Sequence, residues 1–222
     1  MGEQVGAATA VDAHDLGLRL EHGGRLPAPT PIPPPQTRWY RHDVRVVAGA
    51  ARGRPLIAPS GRDTRPTGDR VREAVFNALN SLDLLVGARV VDLFAGSGAL
   101  GVEALSRGAA HCTFVEADWG ATAAIHANLN STGLARQATV SPGRVDTWIA
   151  ANRGAAFDLA LADPPYVFDE WPALLDAVPA PFVVAESSRP VVPGDSRAAS
   201  WEVVRERQYG VAVVTFLRRI EP

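Results

Sequence analysis

The sequence predicts an α/β fold built on one doubly wound, Rossmann-like sheet of seven strands, and three features carry that prediction. Apolar runs of strand length alternate with amphipathic stretches of helix length from Arg89 onward. A glycine-rich turn, Gly96-Ser97-Gly98-Ala99-Leu100-Gly101, follows the first apolar run, where nucleotide-binding sheets pass from strand to helix. The chain then closes on two strand-like stretches with no helix between them. That reads as an antiparallel C-terminal hairpin added to one edge of a parallel sheet.

Residues 1–43 lack periodicity and end in the proline-rich run Pro27-Ala28-Pro29-Thr30-Pro31-Ile32-Pro33-Pro34-Pro35, an extended spacer. The segment is expected to be disordered, and one reading has translation beginning near Val44. From there Arg45-Val46-Val47-Ala48-Gly49 and Arg54-Pro55-Leu56-Ile57-Ala58 predict a short hairpin. A helix is expected to open at Thr67, with Val71, Ala74, Val75, Ala78, Leu79 and Leu82 on its apolar face and Arg70, Arg72 and Asn77 opposite. Residues 44–83 thus form a basic hairpin-plus-helix extension, and residues 84–222 the main domain. Within that domain the pattern gives strand 89–94, helix 98–107, strand 111–115, helix 118–131 and strand 138–141. Helix 144–152, strand 157–162, helix 169–178 and strand 182–186 follow, then closing strands near 201–209 and 211–218.

A chain of 222 residues, 46% hydrophobic and 21% charged, can bury a full core without staples. The single cysteine, Cys112, excludes an intramolecular disulfide and fits a reducing compartment. Histidines 14, 22, 42, 111 and 126 show no ligand spacing, so no metal is expected. No apolar run approaches the ~20 residues of a membrane span, and the acidic N-terminus is no secretory signal. A cytoplasmic monomer is the expectation. Net charge is −2, yet residues 38–72 hold nine arginines against three acids. That local excess points to an anionic partner, with Arg52, Arg54, Arg65, Arg70 and Arg72 as candidate phosphate contacts.

Two motifs carry chemistry. The run Val90-Val91-Asp92-Leu93-Phe94-Ala95 leads into Gly96, Gly98 and Gly101, which satisfy G-x-G-x-x-G, and Glu116 lies 20 residues past Gly96, where a ribose-binding carboxylate belongs. A nicotinamide dinucleotide satisfies this pattern as well. Asp92 separates the readings, because a carboxylate at the turn repels a pyrophosphate but attracts the ammonium and sulfonium of S-adenosylmethionine. Phe94, Ala95, Gly96, Ser97 and Gly98 would cradle that donor. Arg144 would border the adenine through its side chain or only through its backbone. Asp118 caps the helix it begins, and Glu186 either orients the rim of the site or serves the fold.

The second motif, Asp163-Pro164-Pro165-Tyr166, follows the apolar strand 157–162 and is therefore delivered to the carboxyl edge of the sheet. It suits methylation of an exocyclic amine on a planar base. The Asp163 carboxylate and the Pro164 carbonyl would accept the two N–H groups of the amine. Pro165 offers no competing donor, the two prolines fix φ so that the carbonyl is aimed in advance, and Tyr166 would stack on the base.

The sets Arg45-Val46-Val47-Ala48-Gly49, Arg52-Gly53-Arg54, Arg65-Pro66-Thr67 and Asp69-Arg70-Val71-Arg72-Glu73-Ala74-Val75-Phe76-Asn77, continued by the two motifs above, are strongly similar to the bacterial 16S ribosomal RNA (guanine(966)-N2)-methyltransferases. The resemblance runs from about Val44 to the C-terminus. It implies a class I S-adenosylmethionine-dependent methyltransferase fold, S-adenosylmethionine as donor, and 16S rRNA within the 30S subunit as substrate. Two features depart from the family pattern: Val211-Ala212 after Tyr209-Gly210, where a polar residue is common, and the 43-residue extension. Two other readings stay open on the residues alone. An adenine-N6 DNA methyltransferase would use the same four-residue motif, although the chain leaves no room for a target-recognition domain. A non-catalytic RNA-binding assembly factor would not need Asp163, Tyr166 and an intact glycine turn.

Overall fold

Strands here alternate their side chains between two buried faces, as a parallel sheet covered by helices requires. In the first core strand, Val90 faces one apolar cluster, while Val91 and Leu93 face another. The same division recurs in later strands, with Leu159 and Leu161 on the first face and Ala160 and Ala162 on the second. The computed structural model describes residues 39–40, 44–59, 68–191 and 200–220.

The elements are β1 (Trp39–Tyr40), β2 (Ala58–Pro59), α1 (Asp69–Ser81), β3 (Arg89–Leu93), α2 (Ala99–Ser106), β4 (His111–Glu116), α3 (Trp119–Thr132), β5 (Ala138–Pro142), α4 (Val145–Ala151), β6 (Leu159–Ala162), α5 (Trp171–Ala177), β7 (Phe182–Ser187), β8 (Ser200–Tyr209) and β9 (Ala212–Ile220). Seven strands form one sheet in the order β5-β4-β3-β6-β7-β9-β8, and β1 and β2 pair separately. Strands β3 to β7 run parallel, and β9 is antiparallel to both β7 and β8. This is the expected seven-stranded sheet with its antiparallel C-terminal hairpin.

The N-terminal segment departs from expectation. The predicted hairpin carries one antiparallel bridge, Arg45 to Pro55, flanked by hydrogen bonds from the Val46 N–H to the Arg54 carbonyl and from the Leu56 N–H to the Val44 carbonyl. The N–H groups of Val47 and Ala48 instead donate to the two carboxylate oxygens of Glu103 on α2, at 2.7 and 3.0 Å. Ser106 continues the docking, with Oγ donating to the Ala48 carbonyl and accepting from the Ala51 N–H. Gly49, at φ 85°, lies so close to α2 that a Cβ there would fall 1.8 Å from the Ser106 carbonyl oxygen. Val44, Val46, Ala51 and Leu56 accordingly share one core with Phe76, Leu79 and Phe114. Thr37–Pro222 form one compact unit.

Helix α1 begins at Asp69 with Gly68 as its cap; the expected start at Thr67 lies outside the described residues. So does the segment expected to be disordered, except for Trp39 and Tyr40. These β-prone residues form a strand paired with Ala58 and Pro59, a correction to that expectation.

Candidate active site

The chain order reverses between β3 and β6. From β3 the sheet grows outward through β4 and β5, and from β6 through β7. Loops leaving the carboxyl ends of the two strands diverge there and leave a crevice, the usual ligand position of such sheets. A cleft of about 650 Å³ occupies it, within the size range of small-molecule sites.

The glycine turn forms one wall. Strand β3 ends in Phe94, held at φ 61°, a left-handed conformation that is rare outside glycine. Its ring packs edge-on against Phe168 at 5.3 Å, and Phe168 packs against Trp171 at 5.1 Å. Gly96 follows at φ 56° and Gly98 at φ 78°. Asp92, Phe94, Ala95, Gly96 and Ser97 all line the cleft, whereas Gly98 does not. A Cβ on Gly98 would lie 3.2 Å from both Ile125 and Phe114, so this residue serves close packing. Gly101 does so more strictly: a Cβ would lie 2.3 Å from the Phe114 ring and 2.7 Å from Cys112 Sγ. It lets α2 lie directly on β4, as the third glycine of such turns does.

Carboxylates dominate the cleft. Asp92, Glu116, Asp146, Asp163, Asp169 and Glu170 line it, with Arg144 as the arginine among them. Asp92 is almost wholly buried and accepts from the Gly101 N–H at 2.8 Å. Burial, aided by the neighbouring Asp163 and Glu116 carboxylates, holds its carboxyl well above the ordinary range, against the pull of that N–H. A site that penalises this anion favours a cationic guest. Glu116 is also buried, and it accepts from the Gly96 N–H and the Asp118 N–H, each at 2.7 Å. It therefore shapes the turn as well as facing the cleft. Asp118 caps α3 as expected, accepting from the Ala121 N–H at 2.8 Å.

Strand β6 delivers Asp163 to the cleft, where it is half-buried beside Pro165. Pro164 is buried, and the Pro165 carbonyl accepts from the Phe168 N–H at 2.8 Å, closing a turn. Tyr166 stands at the rim, 47% exposed, and is not among the lining residues. Phe168 was not foreseen from sequence; an aromatic two residues past the motif tyrosine was the available signal. Arg144 begins α4 and borders the cleft, but its exposed guanidinium pairs with Asp146 at 2.7 Å. That hydrogen bond and the Thr147 N–H bring the Asp146 carboxyl down to about 2. Glu186 is buried at the end of β7, in register with Val214.

Among the candidate phosphate contacts, Arg52, Arg54 and Arg70 are exposed, and Arg65 lies outside the described residues. Arg72 requires a correction. It is fully buried, its guanidinium donating to the Arg45 carbonyl at 2.6 Å and to Asp69 at 2.8 Å, with Glu103 3.9 Å away. Three and four residues before Val75 and Phe76, it lies on the helix face turned to the core, and its charge is met by Asp69 and Glu103 rather than by solvent.

Comparison with known proteins agrees with this geometry. Over 185 residues the chain is 36% identical to a Bacillus subtilis protein named "Putative rRNA methyltransferase YlbH", covering 79% of this chain and 99% of the relative. It is 38% identical over 123 residues to Ribosomal RNA small subunit methyltransferase D of Escherichia coli, covering 55% of this chain and 60% of that protein. A solved Escherichia coli structure described as "Putative methyltransferase yhhF" superposes with a TM-score of 0.66 at 34% identity, covering 79% of this chain and 97% of that one. The fold is thus that of the class I methyltransferases, whose donor is S-adenosylmethionine, and the donor's two positive charges suit the carboxylate-lined cleft. Residues 44–218 match the family described as Conserved hypothetical protein 95, and the chain belongs to that family.

Proposed function

We propose that this protein transfers a methyl group from S-adenosylmethionine to N2 of guanine 966 in the 16S rRNA of the 30S subunit, as a cytoplasmic, metal-independent monomer. The observation that carries the reading is the Asp163 carboxylate at the mouth of a cleft whose other wall is the Asp92–Ser97 turn. The ribosomal RNA relatives supply the substrate class.

The donor brings an electrophilic methyl group on a sulfonium. Asp92 would face its positive end, Glu116 its ribose hydroxyls, and the backbone at Gly143 and Arg144 its adenine. Asp163 and the Pro164 carbonyl would take the two N–H groups of the base amine and turn its nitrogen lone pair toward the reacting carbon. Positioning of this kind supplies most of the acceleration. Tyr166 at the rim offers a face for the base, worth about 1–3 kcal/mol against the few kcal/mol needed to unstack it. The excess proton leaves through Asp163 or water.

Incubation with labelled donor, undermethylated 30S particles and, separately, duplex DNA tests the reading. N2-methylguanosine should form in 16S rRNA and nothing in DNA. Asp163→Ala should lose at least a hundredfold in turnover while calorimetry shows donor affinity kept within a few-fold. N6-methyladenine in DNA, or a variant that loses donor binding but keeps its chemistry, would overturn it.

A further inference from the structure

Beyond the cleft, the edge strand β8 carries an irregularity with a consequence for its arginines. A β-bulge lies between Val203 and Arg205. Before it, Val203 pairs with Leu217, which faces the cluster containing α4 and α5 residues. After it, Arg205 pairs with Phe216, which faces the cluster containing α1 residues. One extra residue thus moves Arg205, Arg207 and Tyr209 onto the α1 side, since a one-residue shift reverses every later side chain. There they meet Ala74, Asn77, Ala78 and Ser81 of α1 across a groove of about 260 Å³.

The groove is built for an anion. Arg205 and Arg207 are both exposed. Among the described residues neither forms an ion pair, the contact of Arg207 being with the Glu206 carbonyl. Glu206 and Gln208 alternate to the opposite face. Glu202, before the bulge, is engaged by Arg218 of β9. Asn77 and Ser81 add polar groups, and the half-buried Tyr209 supplies a ring.

Register ties the groove to the reaction centre. Ala162, directly before Asp163, is in line with Ala185, Thr215 and Glu206 across the sheet, and Arg207 is one residue further toward the active-site edge. Three strand spacings put β8 on the order of 14 Å from β6. That is within reach of nucleotides flanking a base held at Asp163.

We propose that Arg205 and Arg207, turned by the bulge to face α1, grip the sugar-phosphate backbone of the substrate RNA beside the methylated base. This rests on the rRNA methyltransferase reading above. The two guanidiniums fix the RNA's position and read no bases.

The test is the double variant Arg205→Glu/Arg207→Glu, with Arg136→Glu, an exposed arginine after α3, as a control for charge alone. Donor affinity by calorimetry monitors folding. KM for 30S particles and binding to deproteinised 16S rRNA should both weaken at least tenfold in the double variant. Its kcat and donor affinity should stay within twofold of the wild type, and Arg136→Glu should change none of these. If Arg136→Glu, which reverses one charge to the double variant's two, weakens RNA binding as much, or the double variant binds RNA as the wild type does, the groove has no such role. A double variant that loses donor binding is replaced by Arg205→Gln/Arg207→Gln, for which a threefold loss in RNA binding is expected and no loss overturns the proposal. A wild type that methylates no rRNA defeats the underlying reading, and the groove proposal with it. A wild type that does so beside an unaffected variant defeats the groove alone.

Discussion

Asp92 and Glu116 show how one residue type serves two ends within a single cleft. Asp92, buried and crowded by two further carboxylates, resists ionisation. A sulfonium or ammonium beside it removes that resistance, so donor binding and proton release are linked. The native state holds a proton here that the unfolded chain gives up near pH 3.9. This group's contribution to stability therefore falls as pH rises from that value to the raised folded value, and is flat above it. Donor affinity should move the opposite way, rising through the same window and then levelling. Calorimetry in two buffers of different ionisation enthalpy should detect a proton released at the lower pH, and Asp92→Asn should abolish that release while weakening affinity at least tenfold. An unchanged proton count in the variant would remove Asp92 from the donor site. Sequence alone pointed to Asp92, Glu116 and Asp163, because each stands at or near the carboxyl end of a strand-like run. It could not show Phe94 at positive φ, since nothing in a phenylalanine signals a left-handed backbone; the Phe168 and Trp171 rings that hold it there are tertiary.

Helices and strands were legible because the central strands are built on buried apolar runs, such as Leu159–Ala162 and residues 182–185, and glycines follow α2 and α3 as stops. Gly133, at φ 76°, ends α3 where the sequence expected it. The N-terminal segment was legible as a hairpin turn but not in its docking, because the N–H groups of Val47, Ala48 and Ala51 find their partners in α2. Glu103 is the centre of that junction. It is fully buried, accepts from Val47, Ala48 and Arg107, and faces Arg72. Reading Arg72 as a surface residue treated charge as a sign of solvent; Asp69 gave a local partner, but the buried Glu103, 31 positions along the chain, carries no local signature. Removing one partner of such a group strands the other, at a cost of about 3–5 kcal/mol. Glu103→Ala should lower the unfolding free energy from urea titration by that amount, with Glu103→Gln losing less. A change below 1 kcal/mol would show that the segment is held by apolar contacts alone.

For the whole molecule, net charge is −2, so attraction to RNA must be local rather than global. The exposed arginines at 52 and 54 lie in the segment docked on α2 and Arg70 on α1, while the donor cleft carries six carboxylates. Under the proposed function, this division would let one chain hold a polyanion and a cationic donor at once. Activity on 30S particles should fall steeply with salt, while donor affinity responds far less. A kcat/KM independent of salt between 50 and 200 mM would deny the arginines their role. No helix among the described residues is long and apolar enough to cross a membrane.

The central claim is that Asp163 and the Asp92–Ser97 turn face one another across the reacting atoms. A crystal structure with S-adenosylhomocysteine tests it most directly. The account predicts the thioether sulfur over that turn, with the Asp163 carboxylate opposite at a separation that admits one methyl group and one amine nitrogen. A sulfur bound elsewhere, or an Asp163 side chain turned out to solvent in that complex, would contradict it.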